Sequence, residues 1–176
     1  MIWLFLLQIK CIDEMQLAEI EKVIENCMDM CKKMKLSPYF YITGGDPILH
    51  KNFWETVGLL KEREISSGLL GNPFHLNDKV CKKLRDYGCR KYQLSIDGMK
   101  KTHDEIRRPG SFDTTIEKIA CIREAGMDCA IMTTVSCTNI DEMEDIVDLA
   151  VDNHADIFAF AAIVLPVLTN RHISNH

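Results

Sequence analysis

The most constraining feature of this chain is a hydrophobic period that switches repeatedly between short apolar runs and three- to four-residue spacing. Helical spacing runs from about Asp13 to Lys35, where Leu17, Ile20, Ile24, Cys27, Cys31 and Met34 share one face. Pro38 then opens a strand, Tyr39 to Thr43, that stops at Gly44-Gly45. A helix over about Lys51 to Arg63 and a strand near Ser67 to Leu70 follow. Asn77 is a good N-cap for the next helix, which carries Val80, Leu84 and Tyr87 and is closed by Gly88. After a strand at Lys91 to Ile96, a charged linker leads to Ser111, which is expected to cap a helix bearing Ile116, Ile119 and Ile122, closed by Gly126. A strand at Ala130 to Val135, a helix at Asn139 to Asn153 and an apolar strand at Asp156 to Ala161 complete the series.

Five strands alternating with helices predict an α/β fold with a mostly parallel sheet and right-handed crossovers. Helices on one face would make part of a (β/α) barrel, and helices on both a doubly wound sheet. Periodicity alone leaves both open. With 176 residues and no Pro/Gly/Ser linker or repeat, the chain is expected to form a single domain over residues 1–176. In either architecture ligands bind at the carboxyl ends of the strands. Gly44-Gly45-Asp46, Gly71-Asn72-Pro73, Ser95 with Asp97-Gly98, and Thr134 with Ser136 all fall there.

Charge excludes some partners. Acidic residues outnumber basic ones 26 to 21 and no Lys/Arg block stands out, so nucleic acid and anionic membranes find no electrostatic footprint. The apolar stretches Ile2–Leu7 and Ile157–Leu168 are too short to cross a bilayer, and both read as buried strands. The first has neither the basic start nor the cleavage site of a signal peptide, which makes the cytoplasm the expected compartment. There the eight cysteines, at 11, 27, 31, 81, 89, 121, 129 and 137, are expected as thiols rather than disulfides. Most occupy apolar-face positions and read as small buried hydrophobes.

The most specific segment is Tyr41-Ile42-Thr43-Gly44-Gly45-Asp46-Pro47. Two glycines leaving a strand let backbone groups approach a ligand, and the carboxylate can receive an ammonium group. This segment resembles the Gly-Gly-Glu-Pro turn of the radical S-adenosylmethionine superfamily, with Asp46 in place of the longer Glu. Gln93-Leu94-Ser95-Ile96-Asp97-Gly98, Thr102 to Arg107 and Gly110-Ser111-Phe112 are similar to the strand and loop of its peptide- and sulfatase-maturing, SPASM-type branch. Gly71-Asn72-Pro73 and Thr133-Thr134-Val135 match less closely.

The resemblance covers about residues 13–161 and implies an incomplete (β/α) barrel of the radical SAM type. It further implies a cofactor site of Tyr41, Gly44, Gly45, Asp46, Pro47, Ser95 and Arg107. In it Asp46 holds the amino group of S-adenosylmethionine, and Ser95 and Arg107 hold its carboxylate. The implied reaction uses a four-iron four-sulfur cluster to generate a 5′-deoxyadenosyl radical that modifies a peptide or protein side chain. His50, His75 and His103 are expected as surface or cap residues.

The family's cluster motif, Cys-x-x-x-Cys-x-x-Cys after the first strand, does not occur in these 176 residues. Cys27-x-x-x-Cys31-x-x-Met34 is a near match, but it lies within the first helix, whose apolar face is expected to claim all three residues. Ile2 to Ile9 could serve as a first strand, with no space for a cluster loop before the helix. The expectation is a family fragment, cut at both ends, with no metal ligands of its own and no assignable catalytic residue. Two other readings stand beside it. One is a non-catalytic module of the same fold that binds adenosyl ligands or peptide. The other is an unrelated (β/α) enzyme using Gly44-Gly45 for phosphate, for which the nearest cations are Lys51 and Lys61.

Overall fold

The computed structural model describes the backbone of Ile2–Trp3 together with residues 14–162. Among the described residues six parallel strands form one sheet: β1 (Ile2–Trp3), β2 (Tyr39–Ile42), β3 (Ser66–Leu70), β4 (Cys89–Ser95), β5 (Asp128–Val135) and β6 (Ile157–Ala162). The helices are α1 (Leu17–Met34), α2 (Phe53–Glu62), α3 (Asp78–Asp86), α4 (Lys100–Ile106), α5 (Ser111–Glu124) and α6 (Met143–Asp152). Strand order in the sheet is the order in the sequence. A doubly wound sheet reverses its order at a switch point, and this one does not. Right-handed crossovers therefore put the helices on one face, and the fold is an α/β half-barrel.

Strand pleating divides the sheet into two sides. Phe40, Ile42, Leu69, Tyr92, Leu94, Cys129 and Ile131 alternate onto the helical side and are buried. Ile20 and Ile24 of α1, Val57 and Leu60 of α2, Leu84 of α3, and Ile119 and Ile122 of α5 complete that core. Each fully buried Leu or Ile contributes about 1.5–3 kcal/mol relative to exposure, and Leu69, Leu84, Leu94, Ile96, Ile122 and Ile131 are each 0% exposed. The register places Tyr41, Gly68 and Lys91 in one row across the other, concave side, with Leu70–Gln93 and Ser95–Met132 in rows nearer its carboxyl end.

Four local expectations need correction. The charged linker contains α4, which sequence reading missed because its cap is remote: Glu142 accepts the Met99 N–H at 2.6 Å and the Thr102 hydroxyl at 2.6 Å. The N-cap of α5 is Gly110, at φ 79°, and Ser111 is the first helical residue, with its hydroxyl buried. The face of α1 buries Cys31 and half-buries Cys27 but leaves Met34 59% exposed, because the helix ends at Lys35 in the left-handed region. Finally, β6 is not a buried strand: among the described residues it pairs with β5 alone, and Phe160 is 65% exposed. A sixth strand is formed by Ile2–Trp3, which pair with Phe40 and Tyr41, and the rest of that apolar run lies outside the described residues.

Candidate functional site

A cleft of ≈ 410 Å³ opens at the carboxyl end of the sheet. Gly45 after β2, Gly71 and Asn72 after β3, Ser95 at the end of β4, and Arg107 and Arg108 after α4 all line it. The local chain explains this convergence. β2 ends where Gly44 and Gly45 take φ of 128° and 29°, values a side chain resists, and this turns the backbone sharply into the cleft wall. β3 ends at Gly71, where a Cβ would lie 2.3 Å from the Tyr92 hydroxyl and 3.4 Å from Asp46 Oδ1. A side chain at Gly71 would collide with the Tyr92 phenol, so glycine lets the end of β3 pass beside that ring and next to Asp46.

Asp46 sits behind that approach, 8% exposed. Its Oδ2 accepts from His75 Nδ1 at 2.7 Å, while Oδ1 is buried without a hydrogen-bond partner among the described residues. A carboxylate removed from water normally has both oxygens satisfied. Here an acceptor is held ready beside Gly71, a residue of the cleft wall. The neighbouring Tyr92 phenol donates to the Asn72 carbonyl at 3.1 Å, and burial raises its pKa well above the usual tyrosine value, so it stays neutral.

The opposite wall is organised by Asp97, which is 3% exposed. Its Oδ1 accepts the Thr134 N–H at 2.8 Å, and its Oδ2 accepts Arg107 Nε at 2.7 Å. Arg107 Nη2 meets the same oxygen. The Asp97 N–H donates to His103 Nδ1 at 3.1 Å, and its carbonyl accepts from Asn139 Nδ2 at 2.9 Å. One residue thus joins the ends of β4 and β5 to α4. His103 is 1% exposed, not a surface residue as expected. Burial, and next the nearby Arg107 guanidinium, hold its pKa below the usual histidine value. The ring is neutral, which its Nδ1 acceptor role requires. A guanidinium has five N–H donors, so Arg107, 40% exposed at its side chain, keeps donors for a ligand beyond those Asp97 takes.

Of the seven residues read as a cofactor site, Gly45, Ser95 and Arg107 line the cleft. Gly44 and Asp46 form the turn behind it, and Pro47 is buried at the start of the following 3-10 turn. Tyr41 lies deeper on the concave side, 5.3 Å from the Tyr39 ring, with Lys91 Nζ 5.6 Å from its own ring centre. Two further participants stand outside that set: Asp97, which the sequence places at a strand end but not in the cofactor site, and His75, expected as a surface or cap residue. His50 accepts the Asn52 N–H at 3.2 Å, in the cap role expected of it. Lys51 donates to Gln16, and Lys61 lies over Tyr87. Among the described residues no group of three or more His, Cys, Asp or Glu is placed to hold a metal. Cys81, Cys89 and Cys129 are buried, with burial raising their pKa values, to about 12 for the latter two.

Comparison with known proteins adds family context. The profile of the radical SAM superfamily matches residues 11–150. The chain is 31% identical over 118 residues to the sporulation killing factor maturation protein SkfB of Bacillus subtilis, covering 66% of this chain and 29% of SkfB. It is 26% identical over 130 residues to the mycofactocin maturase MftC of Mycolicibacterium smegmatis (72% and 33%). It is 31% identical over 115 residues to the AdoMet-dependent heme synthase of Methanosarcina barkeri (64% and 33%). The chain therefore spans about a third of the length of these curated relatives. Among solved structures, anSMEcpe with bound AdoMet aligns with a TM-score of 0.73 at 16% identity, over 90% of this chain and 45% of that one. Streptococcus suis SuiB bound to its precursor peptide SuiA aligns with a TM-score of 0.70 at 18% identity, over 87% and 34%. At these identities the likeness is one of fold.

Proposed function

This chain belongs to the radical SAM superfamily, and from that premise we propose that its sheet-end cleft binds S-adenosylmethionine as part of a peptide- or protein-modifying enzyme of the SPASM-type branch. The observation that carries the reading is Asp46 Oδ1, a buried acceptor without a partner among the described residues, set beside the same cleft that Ser95 and Arg107 line. An amino-acid ligand has an ammonium and a carboxylate on one carbon. Asp46 would take the ammonium through Oδ1. Arg107 and Ser95 would take the carboxylate through charge-assisted and hydroxyl hydrogen bonds. The cleft residues thus fit the cofactor.

Within the cleft each group has a definable task. Asp97 fixes the angle of Arg107, so the guanidinium reaches the ligand already oriented. Gly45 and Gly71 let the backbone stand close to it. His103, neutral and walled in by Phe112 at 5.8 Å, closes one side against water. When bound beside a reduced iron-sulfur cluster, the ligand supplies the radical chemistry that defines the family. The described residues do not fit that cluster, since they bring no set of thiolates together. We read the chain as a family fragment whose cluster ligands lie outside the described residues, located in the cytoplasm.

The maturase relatives and the peptide bound to SuiB support a peptide substrate. The heme synthase supports a tetrapyrrole as the second reading. A ¹H–¹⁵N NMR titration with S-adenosylmethionine tests the site: the amides of Gly44, Gly45, Gly71 and Ser95 are expected to shift together. Shifts confined to other residues would refute the placement.

A further inference from the structure

Asp46 is a shorter carboxylate than the Glu its turn resembles, and by itself it has one methylene less of reach. The structure supplies a second group that bears on this. His75 ends the short 3-10 turn Pro73–His75 after β3, and its ring is placed by that turn rather than by the strand. The turn is firmly held: Pro73 is buried, the Tyr92 phenol donates to the Asn72 carbonyl, and the Leu76 N–H donates to the Pro73 carbonyl at 3.1 Å. The His75 side chain is 44% exposed, whereas that of Asp46 is 2% exposed. The contact between them, Nδ1 to Oδ2 at 2.7 Å, therefore has a solvent-facing donor reaching in to a buried acceptor.

From this geometry we infer that His75 is a positioning residue. By donating from Nδ1 to Oδ2 it locks the Asp46 carboxylate so that Oδ1 faces the ammonium of the bound ligand. A carboxylate rotates about its Cβ–Cγ bond, and without a partner on Oδ2 the two oxygens could exchange places. With Oδ2 taken, Oδ1 is the carboxylate oxygen left without a partner among the described residues, buried beside Gly71 of the cleft wall, where a Cβ would stand 3.4 Å away. A hydrogen bond to a carboxylate needs a proton on Nδ1, so in this contact the ring nitrogen is the donor. Sequence reading had no access to this pair, because the residues are 29 positions apart on different loops.

The inference rests on the S-adenosylmethionine reading and is tested so that the two can fail separately. The full chain, its His75→Ala variant and its His75→Asn variant are titrated by NMR with S-adenosylmethionine and with 5′-methylthioadenosine, which shares the nucleoside and sulfur but has no amino acid end. Asn carries an N–H donor near the place of Nδ1. His75→Ala is expected to weaken S-adenosylmethionine about five- to tenfold and leave 5′-methylthioadenosine within twofold, with His75→Asn restoring most of the loss. Thermal melts confirm that both variants fold, as expected for a half-exposed side chain. If His75→Ala weakens both ligands equally, or changes neither while the unaltered chain binds, the positioning role is overturned and the cofactor site stands. If the unaltered chain binds neither ligand, the site itself is overturned, and the inference falls with it.

Discussion

The Asp97–Arg107 pair should respond to substitution asymmetrically, because its two members are buried to different extents. The Asp97 side chain is 4% exposed and that of Arg107 is 40% exposed. Removing Arg107 leaves a buried carboxylate whose described side-chain contact is the Thr134 N–H on Oδ1. Stranding one charge of a fully buried pair costs about 3–5 kcal/mol. Because Arg107 is itself 40% exposed, its removal opens Oδ2 to water, and the lower side of that range or a little below it applies, about 2–3 kcal/mol for Arg107→Ala. Asp97→Asn acts differently. The amide oxygen still accepts from Thr134, and the released guanidinium can turn into solvent, so the loss is that of a half-exposed pair, about 1 kcal/mol. Joining the two changes removes the stranded charge, and the double variant should cost about 1 kcal/mol, less than Arg107→Ala alone. Urea unfolding followed by circular dichroism, with an unchanged slope, measures all three. A double variant at the sum of the singles, or Asp97→Asn costing more than Arg107→Ala, would refute the reasoning.

Two further outcomes are expected. His103 is held neutral in the fold with its pKa lowered from 6.5, so the unfolded chain binds the proton more readily; stability is full above about pH 6.5 and is lost as pH falls below it. His103→Asn, which keeps an acceptor for the Asp97 N–H, should flatten that acid loss in thermal unfolding between pH 5 and 7.5, and an unchanged acid limb would place the titration elsewhere. Anaerobic reconstitution with iron and sulfide should leave the chain without a stoichiometric cluster. Cys31 is buried on α1, and burial, with its Cys31 neighbour next, raises the Cys27 thiol pKa; iron approaching four per chain would contradict this.

The strands and their glycine-bearing ends were legible because they rest on local signals: apolar runs of strand length, positive-φ turns and the Asn77 cap, whose side chain accepts the Val80 N–H at 3.0 Å. The choice of a half-barrel over a doubly wound sheet was not local. It depends on strand order, which periodicity does not encode. The same limit hid α4, since its capping carboxylate, Glu142, comes 43 residues after Met99. It also hid the partners of both charged site residues. Asp46 could be read as a carboxylate facing a ligand, but His75 reaches it only after β3 folds beside β2. Arg107 could be read as a carboxylate grip, yet part of its fork is already taken by Asp97, which orients it and dilutes its charge. His103 looked like one of several surface histidines because its burial is set by the packing of α4 against the ends of β4 and α5.

The central claim is that Asp46 and Arg107 hold the two ends of an amino-acid cofactor in one cleft. Two charged hydrogen bonds of about 1.5–3 kcal/mol each stand against roughly 4 kcal/mol or more for immobilising the ligand. Without the cluster's own contribution, the affinity should be no better than about millimolar. Calorimetry with S-adenosylmethionine at high concentration measures it directly. Weak binding that is abolished by Asp46→Ala and by Arg107→Ala, in variants shown to be folded, is the predicted result. Micromolar binding that survives both substitutions would contradict the account.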